Sequence, residues 1–408
     1  MSVISLGDIQ AARGRIAGGI YSTPCPLSAP LSDICRCEIY CKLEFLQRTG
    51  SFKERGARNA LLLLDPQKRS RGVIAASAGN HALALAFHGG QLSVPVTVVM
   101  PLYAPLVKQV NCRRHGAEVI LHGNSFAEAK SRADEIARDR SLTYIHGYDD
   151  PAIIAGQGTL GLEVLEQVPN LDAIIIPIGG GGLIAGVATA IKSLRPEVQI
   201  IGVEPANSTC FTSALAAGKP VRVASEPTLA DGLAVGIVGE NAFAIAREKV
   251  DRVIQVSEAD LALAVVRLME LEKSVVEGAG AAPLAAILSG KLADLAGKRV
   301  VLTLCGGNID LTILSRLIET ALVVDGRLCR FTAVISDRPG GLARLTSLIA
   351  QAGASVKEIT HDRAFSGPNV AAVNVLCTVE TRDQTHIEEL YRHLTTNGIR
   401  HFAHVGRE

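Results

Sequence analysis

The stretch AIIIPIGGGGLIAGVATAI, residues 173–191, runs for nineteen residues without a charged side chain. An α-helix needs about 20 apolar residues to cross a bilayer, so the length of this stretch alone would suit a membrane-spanning helix. Pro177 and the four consecutive glycines after it interrupt any continuous helix. The pattern instead predicts a short buried strand, a glycine loop and a helix of small residues. This strand–loop–helix unit decides the fold class in favour of an α/β protein that does not span a membrane.

The same alternation recurs along most of the chain. The apolar runs GVIAAS (72–77), VPVTVVM (94–100) and EVILHG (118–123) are each followed by an amphipathic, alanine-containing stretch. Such a β-α-β-α rhythm predicts mostly parallel, open sheets with helices on both faces. Ligands of these sheets bind beyond the carboxyl ends of the strands. The residues that follow each apolar run are therefore the candidates for a functional site.

The character of the chain changes after residue 328. The apolar pattern of residues 329–408 predicts strand, helix, strand, strand, helix and a final short strand. We expect a separate α+β unit of about 80 residues, which is an ordinary size for a small domain.

Charge and cysteine usage exclude several classes of protein. The 408 residues include 41 basic and 40 acidic side chains, and a net charge of +1 gives no field that would attract nucleic acid or an anionic membrane. Nine cysteines without a C-x-x-C pair indicate neither a disulfide framework nor a zinc site. Charged residues from Asp8 to Arg15 interrupt any signal peptide, so we expect a cytoplasmic protein that acts on small molecules.

Lys53, in TGSFKERGARNALLLL (49–64), lies between a turn and a predicted helix. The positive end of a helix dipole and partial burial both disfavour the protonated amine, which is what a lysine needs to react with a carbonyl compound. Taken alone, the stretch favours an ordinary surface lysine. Three other loops change that balance.

Each of the three loops follows an apolar run. In SAGNHA (77–82), Ser77, Asn80 and the backbone N–H groups of a helix start suit a carboxylate. In GGGGL (179–183), four residues without side chains let backbone amides converge on a phosphate, and the loop lacks the features of a nucleotide-binding loop. In LCGGNID (304–310), Cys305 offers a neutral partner to a ring nitrogen. Each loop alone also reads as an ordinary turn, helix cap or core residue.

Together, an amine, a carboxylate site, a phosphate site and a neutral hydrogen-bonding group match the aldehyde, substrate, phosphate and ring nitrogen of pyridoxal phosphate. The segments TGSFKERGA, SAGNHA, GGGGL and CGGNID resemble the motifs of the fold type II pyridoxal-phosphate enzymes, and among these the threonine/serine dehydratases. The resemblance covers about residues 5–320. Residues 329–408 resemble an ACT domain, a regulatory module that often binds amino acids.

The resemblance implies a fold, a domain plan and an assembly. The fold is tryptophan synthase β-like, with two open twisted parallel-sheet domains plus the ACT domain. The large cofactor-binding domain comprises residues 1–48 and 149–320, the small domain 49–148, the linker 321–328 and the ACT domain 329–408. A homodimer or homotetramer is expected, with an amino-acid substrate and an amino-acid effector.

The resemblance also implies a role for each matching residue. Lys53 holds the cofactor and moves the α-proton of the substrate, in a β-elimination that converts L-threonine to 2-oxobutanoate and ammonia, and L-serine to pyruvate. The cofactor-binding residues are Phe52, Lys53, Asn80, Gly179, Gly180, Gly181, Gly182, Leu183 and Cys305. The residues around the substrate carboxylate are Ser77, Ala78, Gly79, Asn80 and His81. The effector turn of the ACT domain comprises Asp337, Pro339, Gly340, Gly341 and Leu342.

Several positions depart from the family pattern and keep alternatives open. Serine racemases carry a second serine where this chain has Ala78, so elimination is favoured over racemisation. Glu204 matches a cation ligand, but Cys210 replaces an expected aspartate, which disfavours Mg2+ or Ca2+ and leaves a monovalent cation or a helix-capping role. Phe45 and Glu54 are candidates for selecting another substrate, such as threo-3-hydroxyaspartate or phenylserine. A non-catalytic amino-acid sensor is the alternative outside enzymes.

Overall fold

The computed structural model describes residues 4–363 and 371–404. Residues 364–370 and 405–408 of the predicted ACT domain, and residues 1–3 of the predicted large domain, lie outside the described part. Contacts between residues divide the chain into two compact units, Met1–Ile309 and Asp310–Glu408. Within the described ranges, no helix is both long and apolar enough to cross a membrane.

The first unit contains two sheets. Its strands are β1 (Glu38–Leu43), β2 (Val73–Ala76), β3 (Val96–Met100), β4 (Glu118–Leu121), β5 (Thr143–Tyr144), β6 (Ala173–Pro177), β7 (Gln199–Pro205), β8 (Arg252–Val256) and β9 (Arg299–Leu304). The larger sheet has the order β1-β9-β6-β7-β8 and the smaller one the order β4-β3-β2-β5. Every pairing in both sheets is parallel, which confirms the predicted fold class.

Helices connect and cover these strands. They are α1 (Leu6–Ile16), α2 (Ala29–Cys35), α3 (Lys53–Leu62), α4 (Pro66–Arg71), α5 (Asn80–Leu92), α6 (Leu106–Arg114), α7 (Phe126–Asp139), α8 (Pro151–Gln167), α9 (Gly182–Leu194), α10 (Cys210–Ala217), α11 (Glu240–Ala246), α12 (Glu258–Glu272) and α13 (Gly278–Leu288). Short 3-10 turns occupy Glu44–Leu46, Asp231–Leu233 and Ala293–Leu295. Parallel strands need such crossovers, because a tight turn cannot return the chain to the same end of the sheet.

The uncharged stretch 173–191 divides as its sequence predicts. Strand β6 lies between β9 and β7, all five of its residues are buried, and it ends at Pro177. Gly181 has a φ of +89°, a left-handed conformation that glycine adopts without strain, and α9 begins at the next residue. The stretch is therefore a core strand and a core helix joined by a glycine turn.

The second unit is a four-stranded antiparallel sheet with helices. Its elements are α14 (Leu311–Val324), β10 (Leu328–Ser336), α15 (Gly341–Gln351), β11 (Ser355–Asp362), β12 (Ala372–Glu380), α16 (Gln384–Thr396) and β13 (Arg400–His404). The strand order is β11-β12-β10-β13. From β10 onward the element order is the one predicted. Helix α14 belongs to this unit by its contacts, whereas the predicted domain plan assigned its first ten residues to the large domain; that plan remains a prediction.

Helix α3, which begins at Lys53, packs closely against α8. A Cβ atom placed on Gly156 would lie 2.6 Å from Cα of Gly56 and 2.7 Å from the carbonyl oxygen of Arg55. Real Cβ atoms do not approach other atoms this closely, so a side chain at Gly156 would force the two helices apart. The glycine contact therefore sets how closely α3 approaches α8.

We predict that Gly156→Ala lowers stability by about 1–3 kcal/mol, the usual cost of overpacking a core. Gly14→Ala is the matched control, because Gly14 is exposed on α1 with open space where a Cβ would lie. This control should raise stability by about 0.5–1 kcal/mol, since glycine is disfavoured within helices. Urea unfolding measures both changes. An equal change in the free energy of unfolding for the two variants would contradict the proposed contact between α3 and α8.

Candidate active site

The predicted site segments leave the carboxyl ends of neighbouring strands. Ser77 follows β2, Gly179 follows β6 by one residue, and Cys305 follows β9 directly. Lys53 follows β1 after a short 3-10 turn. The contacts described next show that these segments meet.

Lys53 reaches into the site from the first turn of α3. Its Nζ donates a hydrogen bond to the Gly147 carbonyl oxygen at 2.8 Å and lies 5.1 Å from the centre of the Phe52 ring. Burial lowers the pKa of Lys53 to about 8, against the opposing attraction of Cys305 and Glu277. About a tenth of the amine is therefore unprotonated at pH 7, far more than for an exposed lysine, which suits a nucleophile or a general base.

The turn that carries Lys53 is joined to the segment that carries Cys305. Phe52 N donates to Cys305 O at 3.0 Å, and Gly307 N donates to Gly50 O at 2.9 Å. Cys305 is buried, and burial together with the negative charge of Glu277 raises the pKa of its thiol well above the usual value. The thiol is therefore neutral, and its role as the partner of a ring nitrogen remains a prediction.

The predicted carboxylate loop lies at the start of α5. Gly79 is the N-cap residue, and the first N–H groups of the 13-residue helix have no acceptor within the helix. Ser77 Oγ accepts from Gly79 N at 3.3 Å, and Ala78 packs against the core of the small sheet. The His81 side chain is buried with Nε2 3.1 Å from the Ile145 carbonyl oxygen. His81 therefore contributes its backbone N–H to this loop, because its ring lies against the sheet.

Asn80 joins the small sheet to the large one. Its Nδ2 donates to Glu277 Oε1 at 2.8 Å, and its Oδ1 accepts from Asn308 Nδ2 at 2.8 Å. An amide nitrogen carries two hydrogens, so the bond to Glu277 leaves one for another acceptor. Burial, aided by the charge of Asp231, raises the pKa of Glu277 to about 7 against the effect of its bond from Asn80.

The glycine loop packs under an aromatic ring. A Cβ on Gly180 would overlap the ring of Tyr148, and a Cβ on Gly182 would overlap the Tyr148 carbonyl oxygen. Tyr148 follows Gly147, the acceptor of the Lys53 amine. The segment after β5 therefore connects Lys53 with the glycine loop, and Tyr148 excludes side chains at Gly180 and Gly182.

Sequence reasoning missed Glu277, Gly147 and Tyr148 as members of the site. Glu277 is one carboxylate in the apolar and small-residue stretch VVEGAGAAPLAAIL (275–288), and such a charge in an otherwise buried helix start is the signal that could have identified it. Gly147 and Tyr148 follow β5 at the same sheet edge as Ser77, which is the rule that identified the other loops.

The Glu204 carboxylate caps a helix. Its oxygens accept from Phe211 N at 2.6 Å and from Thr212 N at 3.0 Å, at the start of α10. Cys210 Sγ lies 3.4 Å from the Gly179 carbonyl oxygen, and burial raises the pKa of this thiol to about 12. Across residues 4–363 and 371–404, no cluster of three or more potential His, Cys, Asp or Glu ligands is found. These contacts match the helix-capping alternative, and a cation at Glu204 remains a prediction.

The site fits the predicted cofactor. The glycine loop leads directly into α9, whose first N–H groups have no acceptor within the helix and suit a phosphate. Lys53 is partly unprotonated, Asn80 has a hydrogen free for a ring hydroxyl, and the Cys305 thiol is neutral. Pyridoxal phosphate presents an aldehyde, a phosphate, a hydroxyl and a ring nitrogen, and each has a suitable partner here.

We predict that Lys53 of the cofactor-free protein reacts with trinitrobenzenesulfonate with a midpoint near pH 8, because only the unprotonated amine reacts and burial lowers the pKa to about 8. Exposed lysines should show a midpoint near the ordinary value of about 10.4. Glu277→Gln removes an attracting charge and should shift the Lys53 midpoint to lower pH. Brief labelling followed by peptide mass spectrometry gives each midpoint; a Lys53 midpoint at 10 or above would contradict the burial argument.

Comparison with known proteins gives an independent assignment. Residues 16–306 match the family model described as "Pyridoxal-phosphate dependent enzyme". A protein of Thermotoga maritima named L-threonine ammonia-lyase is 42% identical over 396 residues, which cover 97% of this chain and 98% of that protein. The match includes both units.

Solved structures agree with this result. The processed form of threonine deaminase isoform 2 from Solanum lycopersicum has a TM-score of 0.74 at 36% identity and covers 78% of this chain and 92% of that one. Serine racemase from Dictyostelium discoideum has a TM-score of 0.72 at 37% identity and covers 76% of this chain and 100% of that one. The chain belongs to the family of pyridoxal-phosphate dependent enzymes.

Proposed function

We propose that this chain is an L-threonine ammonia-lyase that converts L-threonine to 2-oxobutanoate and ammonia, with L-serine as a second substrate that yields pyruvate. The observation that carries the proposal is the similarity to the Thermotoga protein over nearly the whole of both chains, with Lys53 and the matching loops gathered at one site. The enzyme is a lyase that uses pyridoxal phosphate.

Each segment of the site has a distinct task in substrate and cofactor binding. The N–H groups at the start of α5 bind the substrate carboxylate, since the helix dipole favours an anion there. The amides of the glycine loop and α9 bind the cofactor phosphate. Cys305, a neutral thiol, would be the partner of the ring nitrogen, and Phe52, whose ring centre lies 5.1 Å from Lys53 Nζ, would contact the cofactor ring.

Lys53 performs the proton transfer. Pyridoxal phosphate, when bound, supplies the electron sink that makes the Cα–H bond of the substrate acidic. The unprotonated Lys53 amine accepts this proton as a general base, and a pKa of about 8 is close to the working pH, where a base is most effective. The hydrogen bond from Nζ to Gly147 limits the positions that the amine can take.

Serine racemase is the second candidate, favoured by the similarity to the Dictyostelium structure. Racemisation needs an acid–base group on each face of the substrate. The position that would supply the second hydroxyl is Ala78, whose methyl group packs against the core of the small sheet. Elimination needs an acid–base group on one face only, so the site favours the lyase reaction over racemisation.

The two residues singled out for substrate choice lie in different environments. Phe45 is half-buried, and a Cβ on Gly307 would lie 3.2 Å from its Cβ, so it lies beside the Cys305 segment and can influence selectivity. Glu54 is fully buried and bonds to Thr49 and His88. A direct role of Glu54 in selecting the substrate is therefore not proposed.

We predict that the enzyme releases 2-oxo acid from L-threonine faster than from L-serine, and from both faster than from threo-3-hydroxyaspartate, because Lys108, a cation near Glu277, is already paired with Asp231 at 2.9 Å and is not available to a second carboxylate. A dinitrophenylhydrazine assay measures release, with Lys53→Ala as the inactive control. Chiral chromatography of the serine reaction should show no D-serine. Preference for threo-3-hydroxyaspartate, or rapid formation of D-serine, would overturn the proposed substrate.

We further propose that the second unit is an ACT domain that binds an amino-acid effector. Its candidate turn follows β10, where Gly340 has a φ of +91° and a Cβ on Gly341 would overlap the Ser336 carbonyl oxygen. Asp337 in this turn forms an ion pair with Arg363 at 3.0 Å, and Leu342 is exposed. The tight turn places the start of α15 beside the end of the strand, where N–H groups are available for a carboxylate. A homodimer or homotetramer and a cytoplasmic location are part of this proposal.

We predict that isoleucine or valine changes the threonine kinetics of the full chain and has no effect on a variant that lacks residues 310–408. The boundary follows the division into compact units, so that α14 is removed with the unit that it contacts. Thermal unfolding shows whether the remaining unit is folded. An unchanged amino-acid response in a folded, truncated enzyme would refute the regulatory assignment.

A further inference from the structure

Glu54 is a buried carboxylate directly beside the catalytic lysine. Its side chain is 0% exposed, and so is that of His88, whose Nε2 lies 3.1 Å from Glu54 Oε2. The other oxygen, Oε1, accepts a hydrogen bond from the backbone N–H of Thr49. Both oxygens of the carboxylate are therefore bound within the protein.

The contacts determine which nitrogen of His88 carries a hydrogen. A carboxylate only accepts, so Nε2 must be the donor to Glu54. The other ring nitrogen, Nδ1, lies 3.3 Å from Arg58 Nη1, which only donates, so Nδ1 must be the acceptor. His88 is thus a neutral ring that donates to Glu54 and accepts from Arg58, and the three side chains form one directed chain of hydrogen bonds.

Thr49 links this chain to the active site. Its N–H is held by Glu54, while its carbonyl oxygen accepts from Asn308 Nδ2 at 2.7 Å. The same Asn308 nitrogen donates to Asn80 Oδ1 at 2.8 Å. Thr49 begins the turn that leads to Lys53, so both polar backbone groups at the start of this turn have fixed partners.

Burying a carboxylate opposes folding unless every oxygen is satisfied, and an apolar side chain of similar size would often serve stability equally well. What an apolar side chain cannot do is accept the Thr49 N–H. We infer that Glu54 is a positioning residue for catalysis: its carboxylate, oriented by His88, fixes the 49–53 turn so that Lys53 Nζ is held where it takes the substrate proton. This inference rests on the proposed lyase function.

The test compares Glu54→Leu with Glu54→Gln in the holoenzyme. Leucine removes the acceptor for Thr49 N–H, so kcat for threonine should fall about 10- to 100-fold, as expected for a small misplacement of a catalytic group. KM should stay within about threefold, because the carboxylate and phosphate sites are untouched. Glutamine retains an oxygen for Thr49 N–H, and its amide nitrogen can donate to His88 Nε2 once His88 changes tautomer and gives up the 3.3 Å contact with Arg58. We expect kcat to stay within about fivefold of the original enzyme, because the bond to Thr49 is kept.

Amide hydrogen exchange gives a readout besides activity. In Glu54→Leu, exchange of residues 49–53 should be at least tenfold faster, whereas Glu54→Gln should resemble the original enzyme. Asp251→Leu controls for the loss of a carboxylate that accepts a backbone N–H, because the exposed Asp251 accepts from Ile200 N through Oδ2 at 2.7 Å near the start of β7, at the end of the sheet away from the site. It should lower thermal stability without changing kcat or exchange in residues 49–53.

Three outcomes would overturn the inference. One is an unchanged kcat in a folded Glu54→Leu enzyme; another is equal loss of kcat in the glutamine and leucine variants. The third applies if Glu54→Leu does not fold: His88→Leu then tests the same chain, and unchanged exchange of residues 49–53 together with unchanged kcat would contradict it. Failure of the proposed lyase function can be told apart from failure of the Glu54 inference, because in the first case the original enzyme would release no 2-oxobutanoate.

Discussion

The pair of backbone hydrogen bonds between residues 50–52 and residues 305–307 is the interaction on which the site depends. It joins the turn after β1 to the segment after β9, which are neighbouring parallel strands of the large sheet. The first of these segments carries Lys53 and the second carries Cys305. The segments that carry the Lys53 amine and the neutral Cys305 thiol are thereby held together, and Asn308 connects the Asn80 loop to them.

Buried charges hold the helix that begins at Lys53. Arg55 is fully buried and pairs with Glu44 at 2.7 Å and with Glu163 at 2.7 Å, and Lys42 pairs with Glu163 at 2.6 Å. The charges of the two cations and the two carboxylates cancel. This pairing matters because an unpaired buried charge costs several kcal/mol. Burial acts to raise the pKa of Glu44, but the attraction of Arg55 prevails and lowers it. The elements β1, α3 and α8 are thereby connected beneath the site.

The sequence predicted the parts of the molecule that local patterns control. Apolar runs and glycine turns predicted the parallel sheets, and the segments containing Asn80, Gly179 and Cys305 were found because each follows a strand. Lys53 was found at the start of a predicted helix, and the three other loops made it a candidate. Glu277 escaped notice because its role arises from contacts with Asn80 and Asn308, which are 197 and 31 residues away along the chain. The lone carboxylate in an apolar stretch was a local signal, but no local pattern identifies partners so far away along the chain.

Side-chain direction was also beyond the reach of local patterns. Glu54 and His81 both stand next to predicted site residues, yet both side chains turn into the protein and bond there. In a helix, adjacent residues point about 100° apart, so a neighbour of a catalytic residue commonly faces the core. The sequence showed that these residues were near the site; only the packing of α3 and α5 determined where they point.

The central claim is that Lys53 is the one lysine that binds the cofactor. The most direct test is borohydride reduction of the holoenzyme, which makes the bond between the lysine nitrogen and the aldehyde carbon of the cofactor permanent, followed by peptide mass spectrometry. The structure predicts a single phosphopyridoxyl group on the peptide that contains Lys53. A modified peptide that contains another lysine, or no modification in a protein with bound cofactor, would contradict this account.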